Sequence, residues 1–376
     1  MKLDESYELF RETCTRFARE KIAPFVAEWE EAGIFPRELY REAAAAGVLN
    51  AAYPEEYGGG GGDMLHGLVG IEALLSGGSS GIVAGLGSLG IALPPILVLG
   101  SEEQKRRFLP PVLAGDKIAA LAITEPGTGS DVSGISTRAV RDGKDYLVSG
   151  AKMFITSGVR ADYVSVLART GPDKHGGLSF FVVEKGMPGF SVSRALKKTG
   201  WWASDTAELA FDSVRVPEEN RIGDEGSGFV ALMRNFQHER LALAFYGHAT
   251  AALVLEDALA YARERQAFGR PLVGFQVTRH KLARMATEVE AARTLNYSTA
   301  LRVKAGEYLV KEVSMAKNFS ADVAQRVCYE AVQILGGMGF MRETRVERLS
   351  RDARLLPIGG GTTEIMNEII AKGLGL

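Results

Sequence analysis

Between Asp145 and Thr156 the chain reads DYLVSGAKMFIT. Short runs of β-branched and aromatic residues that partly alternate with polar ones predict strands. ADYVSVLART (161–170), LSFFVVEK (178–185) and AELAFDSVRVP (207–217) share this character, with Gly, Asp and Pro turns between them. Together they predict an antiparallel sheet domain over residues 120–225.

On either side the periodicity is helical. YELFRETCTRFAREKIAPFVAEWEEAG (7–33) carries Leu9, Phe10, Phe17, Ile22, Phe25 and Val26 at near three-to-four spacing, with Pro24 bending or breaking the helix. ELYREAAAAGVL (38–49) predicts a second helix, and SEEQKRRFLPPVLAG (101–115) another with Ser101 as its N-cap. Long helical periodicity returns after 226 and predicts a bundle. The fold class is therefore α+β: an N-terminal helical domain (1–119), a middle antiparallel β domain (120–225) and a C-terminal helical bundle (226–376). Strand and helix do not alternate as in a dinucleotide-binding sheet.

Bulk properties exclude several functions. A formal net charge of −2 over 376 residues argues against a nucleic-acid binder that works by neutralising phosphates. Cys14 and Cys328 have no CxxC spacing, and the five histidines form no metal-ligand pattern, so no metal is expected. The N-terminus MKLDESYELF lacks the apolar run of a signal peptide, which makes a cytoplasmic location the expectation. The most apolar stretch, Ile82 to Leu99, is broken by Gly85, Gly87, Gly90 and Pro94-Pro95 and reads as buried helices rather than a membrane span.

Two glycine runs carry little. Gly58 to Gly62 lacks the Lys-Ser/Thr of a phosphate loop and reads as a flexible surface turn. Gly85 to Gly90 (GLGSLG) fits G-x-G-x-x-G, but no strand leads into it. ALAITEPGTGSD (120–131) is more informative, because small residues, backbone N–H groups and hydroxyls suit a flat polar ring and a phosphate.

On GFVALMRNFQHERLALAFYG (228–247), Phe229, Leu232, Met233, Phe236 and Leu243 form one apolar stripe. Glu239 falls three residues after Phe236 and four before Leu243, on the same stripe. A carboxylate there is either paired, with Arg240 or a nearby arginine as partner, or functional.

ITEPGTGSD (123–131), KMFITSG (152–158), ERQAFGRPLVGFQ (264–276), QILGGMGF (333–340) and RDARLLPIGGGTTEIM (351–366) follow one another in this order. With PEEYGG (54–59) and DTAELAFDSVRVP (205–217) they resemble the acyl-CoA dehydrogenases over essentially the whole chain. The resemblance implies an FAD-dependent enzyme that converts a saturated acyl-CoA thioester to the trans-2-enoyl-CoA. It also implies an electron-transferring flavoprotein as acceptor, a homotetramer, and neither nucleic acid nor a membrane span. Through it, Leu121, Ile123 and Thr124 are assigned to the isoalloxazine by backbone groups and the Thr124 hydroxyl. Gly129 and Ser130 approach the phosphates and the acyl-CoA, Phe154 packs on the flavin, and Thr156 lies near its N5 edge. Arg265, with Phe268 and Gln276, reaches FAD across a subunit interface. Gln333, Leu335, Gly336 and Gly337 cradle the diphosphate and adenosine, and Thr362 and Glu364 contact the cofactor.

Dehydrogenation next to a thioester needs a base for the α proton, a hydride acceptor for the β carbon and donors to the thioester oxygen. Many family members carry the base as a glutamate at the position held here by Gly360. Long-chain and isovaleryl-type members instead carry it directly before an arginine on the earlier helix, as in HERL (238–241). The resemblance therefore assigns the base to Glu239. The thioester donors it implies are the backbone N–H of Glu239 or Gly360 and a hydroxyl of the FAD ribityl chain. Gln237, Arg240, Gly360 and Gly361, with Ser130, are the substrate-side candidates, and the missing side chains at Gly359 and Gly360 predict room for longer or branched acyl groups. Two rival readings accompany this one. An acyl-CoA oxidase is disfavoured by chain length, because many oxidases carry a further helical region. A non-catalytic flavin- or acyl-CoA-binding scaffold is suggested by the missing glutamate.

Overall fold

A computed structural model describes residues 3–376. The N-terminal part consists of α1 (Glu5–Phe17), α2 (Val26–Ala32), α3 (Glu38–Ala45), α4 (Met64–Leu74), α5 (Ser80–Leu86), α6 (Leu89–Ala92), α7 (Pro94–Leu99) and α8 (Glu102–Leu113). The break near Pro24 is present: α1 runs into one π-type turn, where the Ala23 N–H reaches Ala18 O at 2.8 Å, before α2 begins. Ser101 caps α8 in a capping box with Gln104. Among the described residues no single helix is long and apolar enough to cross a membrane; α5 and the α6–α7 run pass that test only as a pair bent by 46°. Gly58 to Gly62 is a packed turn, not a loose one. A Cβ on Gly59 would collide with the Tyr53 backbone, and the Gly61 N–H donates to Tyr53 O at 2.9 Å.

The middle sheet comprises β1 (Ala119–Ala122), β2 (Arg138–Asp142), β3 (Asp145–Thr156), β4 (Tyr163–Arg169), β5 (Leu178–Glu184), β6 (Phe190–Ala195), β7 (Thr206–Val216) and β8 (Arg221–Ile222). Its order is β6-β7-β3-β2-β4-β5-β8, and β1 lies alongside β4. The expectation of an antiparallel sheet needs one correction. β1 runs parallel to β4, Ala119 opposite Tyr163 through Ala122 opposite Val166, and β2 also meets β4 in parallel, Arg138 opposite Arg169, so the sheet is mixed. All four β1 residues are buried, as expected for a strand covered on both faces, and their small side chains hide that strand from an alternation test.

The C-terminal part holds α9 (Gly228–Glu264), a short β9–β10 hairpin (Gln266–Ala267, Arg270–Pro271), α10 (Gln276–Lys304), α11 (Val310–Leu335), α12 (Arg345–Ala353) and α13 (Thr363–Gly373). Helix α9 packs chiefly on α11. The two come close at Gly247, where a Cβ would lie 2.7 Å from Ser320 O. Asn296 on α10 ties them together, donating to Ala244 O and to Ser320 Oγ, each at 2.9 Å. This packing holds Glu239 and Arg240 of α9 beside Lys317 of α11 and the glycine segment between α12 and α13.

Candidate active site

Gly360 and Gly361 adopt φ of 64° and 102°, a left-handed backbone that side chains resist. A Cβ on Gly360 would run into Leu243 Cδ1 and stand 3.8 Å from Glu239 Oε1. The apolar stripe of α9 thus aims both Leu243 and the Glu239 carboxylate at the glycine segment.

Arg240 makes no hydrogen bond or ion pair with its neighbour among the described residues. Its Nε donates to Gly360 O at 3.2 Å, and Lys317 Nζ donates to Gly361 O at 2.6 Å. Glu239 Oε2 is buried without a hydrogen-bond partner among the described residues. Burial pushes the Glu239 carboxyl from an ordinary 4.5 up to about 7, against the pull of the Arg240 and Lys317 cations. A half-buried carboxylate with one orphaned oxygen and its pKa near neutrality can accept a proton from a weak carbon acid.

The N–H of Glu239 lies inside α9 and belongs to the i→i−4 ladder, which removes it as a donor to a ligand. Gly359 donates to Leu355 O and Thr363 to Pro357 O, whereas the Gly360 N–H has no acceptor among the described residues. Of the two expected backbone donors, Gly360 is the available one.

The residues expected to face a flavin gather where β1 and β3 meet. The buried Lys152 Nζ donates to Ile123 O at 2.8 Å and pairs with Glu125 Oε1 at 3.0 Å. The Ser136 and Thr137 N–H groups complete the Glu125 carboxylate at 2.7 and 2.8 Å. Burial alone would raise the Glu125 carboxyl; the Lys152 ammonium and the Thr137 and Ser136 donors outweigh it and hold it down at about 2. Met153 N donates to the Thr124 carbonyl at 2.8 Å, and the Thr124 hydroxyl has no protein partner among the described residues. The Leu121 and Ile123 side chains are buried and the Ile123 carbonyl is committed to Lys152, so their contribution to a ligand is confined to other backbone groups. Phe154 is 63% exposed at φ 62°, a strained backbone for an aromatic residue and one that turns its ring outward. Thr156 pairs with Thr206 in the β3–β7 ladder, and Gly129 and Ser130 are exposed.

The remaining candidates lie elsewhere. Arg265 caps the far end of α9, about 38 Å from Glu239 along the helix axis. Its guanidinium has no partner among the described residues, and Phe268 beside it is 97% exposed. Gln276 opens α10 and is exposed. Gln333, Gly336 and Gly337 form an exposed helix end, while the Leu335 side chain is buried in the core and leaves only its backbone. Thr362 caps α13 by accepting from Ile365 N, and Glu364 points outward in its first turn. Gln237 is buried.

An extended flavin cofactor fits this set on three observations. Phe154 offers a bare aromatic face, the half-buried Thr124 hydroxyl has no protein partner among the described residues, and a Cβ at Gly336 or Gly337 would meet nothing within 4 Å. Sequence reasoning missed Lys152 and Lys317. Lysines at 0% and 1% exposure carry no local mark in the sequence; the one available signal is that Lys317 falls among the small residues of SMAKNFSAD (314–322).

Fold and site together define a flavin-dependent dehydrogenase. The chain belongs to the acyl-CoA dehydrogenase family, FAD-dependent oxidoreductases of acyl-CoA thioesters: the N-terminal, middle and C-terminal domains of that family match residues 4–116, 120–214 and 226–375. It is 40% identical to an acyl-CoA dehydrogenase of Bacillus subtilis over 100% of this chain and 99% of that one. It is 38% identical to the mitochondrial long-chain specific acyl-CoA dehydrogenase of Sus scrofa over 97% of this chain and 86% of that one. Among solved structures, a probable acyl-CoA dehydrogenase from Mycobacterium abscessus superposes with a TM-score of 0.97 at 50% identity, covering 99% of both chains. A prolyl acyl carrier protein oxidase superposes with a TM-score of 0.94 at 30% identity over 100% of both chains. An oxidase acting on an acyl carrier protein thus shares this chain's length and fold.

Proposed function

We propose that Glu239 is the α-proton base of this dehydrogenase, in the arrangement of the long-chain and isovaleryl-type members, and that Gly360 forms the thioester-facing wall. One observation carries the reading: a half-buried carboxylate with an orphaned, buried oxygen faces a glycine whose N–H has no acceptor among the described residues. Bound FAD supplies the acceptor for the β-carbon hydride. Glu239 takes the α proton while the Gly360 N–H holds the thioester oxygen, so that negative charge develops against a fixed donor. Arg240 and Lys317 brace the two glycine carbonyls from behind.

Phe154, Thr124 and Thr156 are the proposed flavin contacts of one subunit. Arg265, Phe268 and Gln276, at the far end of α9, then serve the cofactor of a neighbouring subunit, which fits a homotetramer. Electrons leave to an electron-transferring flavoprotein. Room for longer or branched acyl groups then rests on Gly359, where a Cβ would make only ordinary contact with Leu355 at 3.6 Å; at Gly360 the space is taken by Leu243.

Anaerobic titration with acyl-CoAs from short to long and straight to branched tests the reading. Bleaching of the flavin by saturated, longer or branched thioesters is expected; a flavin that stays oxidised with every one of them would favour a binding scaffold. Fast reoxidation by air with peroxide release would favour an oxidase.

A further inference from the structure

The glycine wall rests on a residue outside the reacting pair. Lys317 is 1% exposed on α11, and its Nζ reaches Gly361 O at 2.6 Å. Next to it Asn318 donates to Thr363 O at 3.1 Å and to Asn367 Oδ1 at 2.9 Å, so two consecutive α11 residues grip the entry to α13. Gly360 lies between this grip and α9, with its carbonyl held by Arg240. The charged groups around Glu239 come from each packed element: Arg240 on α9, Lys317 and Asp322 on α11, and Glu364 at the start of α13. Arg240 and Lys317 act on Glu239 directly, and Glu364 and Asp322 act on Lys317.

We propose that Lys317 is a positioning residue for this reaction: its ammonium fixes the Gly361 carbonyl, and with it the Gly360 N–H, and supplies a positive charge that favours ionised Glu239. This rests on Glu239 being the base. A buried lysine used only to satisfy one carbonyl is replaceable by a neutral donor; one that also sets the charge of the base is not. Burial and the Arg240 cation hold the Lys317 ammonium down at about 8, while Glu239, Glu364 and Asp322 favour its charged form. Lys317 is thus predominantly charged in the neutral range where Glu239 must lose its proton.

The test is the pH profile of flavin reduction by a saturated acyl-CoA in the FAD-loaded enzyme, with Lys317→Gln and Lys317→Arg as variants. FAD content and thermal midpoint are read alongside. Lys317→Gln is expected to move the acidic limb of kcat/KM upward by about one pH unit, the scale of one lost neighbouring charge. Lys317→Arg, which keeps the charge, is expected to leave the limb in place while lowering the rate. A folded, FAD-loaded Lys317→Gln enzyme with the wild-type acidic limb would overturn the proposal. So would a Lys317→Arg enzyme whose limb moves as far as that of Lys317→Gln. Should Lys317→Gln fold poorly, Lys317→Met, about as long as lysine but uncharged, gives the same reading. Failure of the underlying assignment is distinguishable, because Glu239→Gln would then still reduce its flavin at full rate.

Discussion

Glu239 and Gly360 face each other across the space between α9 and the α12–α13 connection, with Glu239 Oε1 3.8 Å from where a Cβ of Gly360 would lie. A glutamate at position 360 and one at position 239 would therefore enter the same space from opposite walls. This explains in steric terms how the base can change helix while the substrate stays in place. The wall that lacks the carboxylate retains an available N–H, and the helix that carries the carboxylate has none to offer.

The raised Glu239 carboxyl makes activity dependent on pH. With the Glu239 pKa raised to about 7, protonation removes the base, so kcat/KM should fall as pH drops below that value. A profile flat down to about pH 5 would be inconsistent with a base raised in this way.

The same shift has a consequence for stability. The folded carboxyl binds its proton more tightly than the unfolded one, whose ordinary value is 4.5, so stability is lost as pH rises from there through about 7. Glu239→Gln removes that loss. The variant should gain roughly 1–3 kcal/mol over wild type at about pH 8 and little at about pH 4, measured by urea unfolding.

Gly360→Ala tests the wall. Its methyl group would collide with Leu243 and must adopt a φ of 64°, at a cost of roughly 1–3 kcal/mol in stability. It should also reduce turnover of branched and long acyl-CoAs more than that of short straight ones. Equal losses across a substrate panel would argue that the wall does not set acyl preference.

Lys152→Met removes the cation that joins Glu125 to the Ile123 carbonyl and leaves a buried carboxylate unpaired. A loss of roughly 3–5 kcal/mol in unfolding free energy is expected. Weaker FAD retention should accompany it, read as the ratio of flavin to protein absorbance. Retention equal to wild type would show that this clamp serves the fold alone.

Much of this was legible in the sequence, for identifiable reasons. β3, β4, β5 and β7 announce themselves by β-branched and aromatic runs, whereas β1 is a short run dominated by alanine whose parallel pairing with β4 has no local signature. Glu239 was legible because its spacing from Phe236 and Leu243 placed a carboxylate on an apolar stripe. Whether Arg240 paired with it was not legible, since that depends on the backbone of Gly360 more than a hundred residues later. Lys317 and Lys152 were invisible for the same reason: their partners are distant carbonyls, and no spacing rule connects them.

The most direct measurement is anaerobic reduction of the Glu239→Gln flavin by a saturated acyl-CoA that bleaches the wild-type enzyme. The variant should remain yellow and bind the thioester, with bleaching slowed at least ~100-fold, the scale of a lost general base. Reduction at the wild-type rate would contradict the assignment of Glu239 as the base.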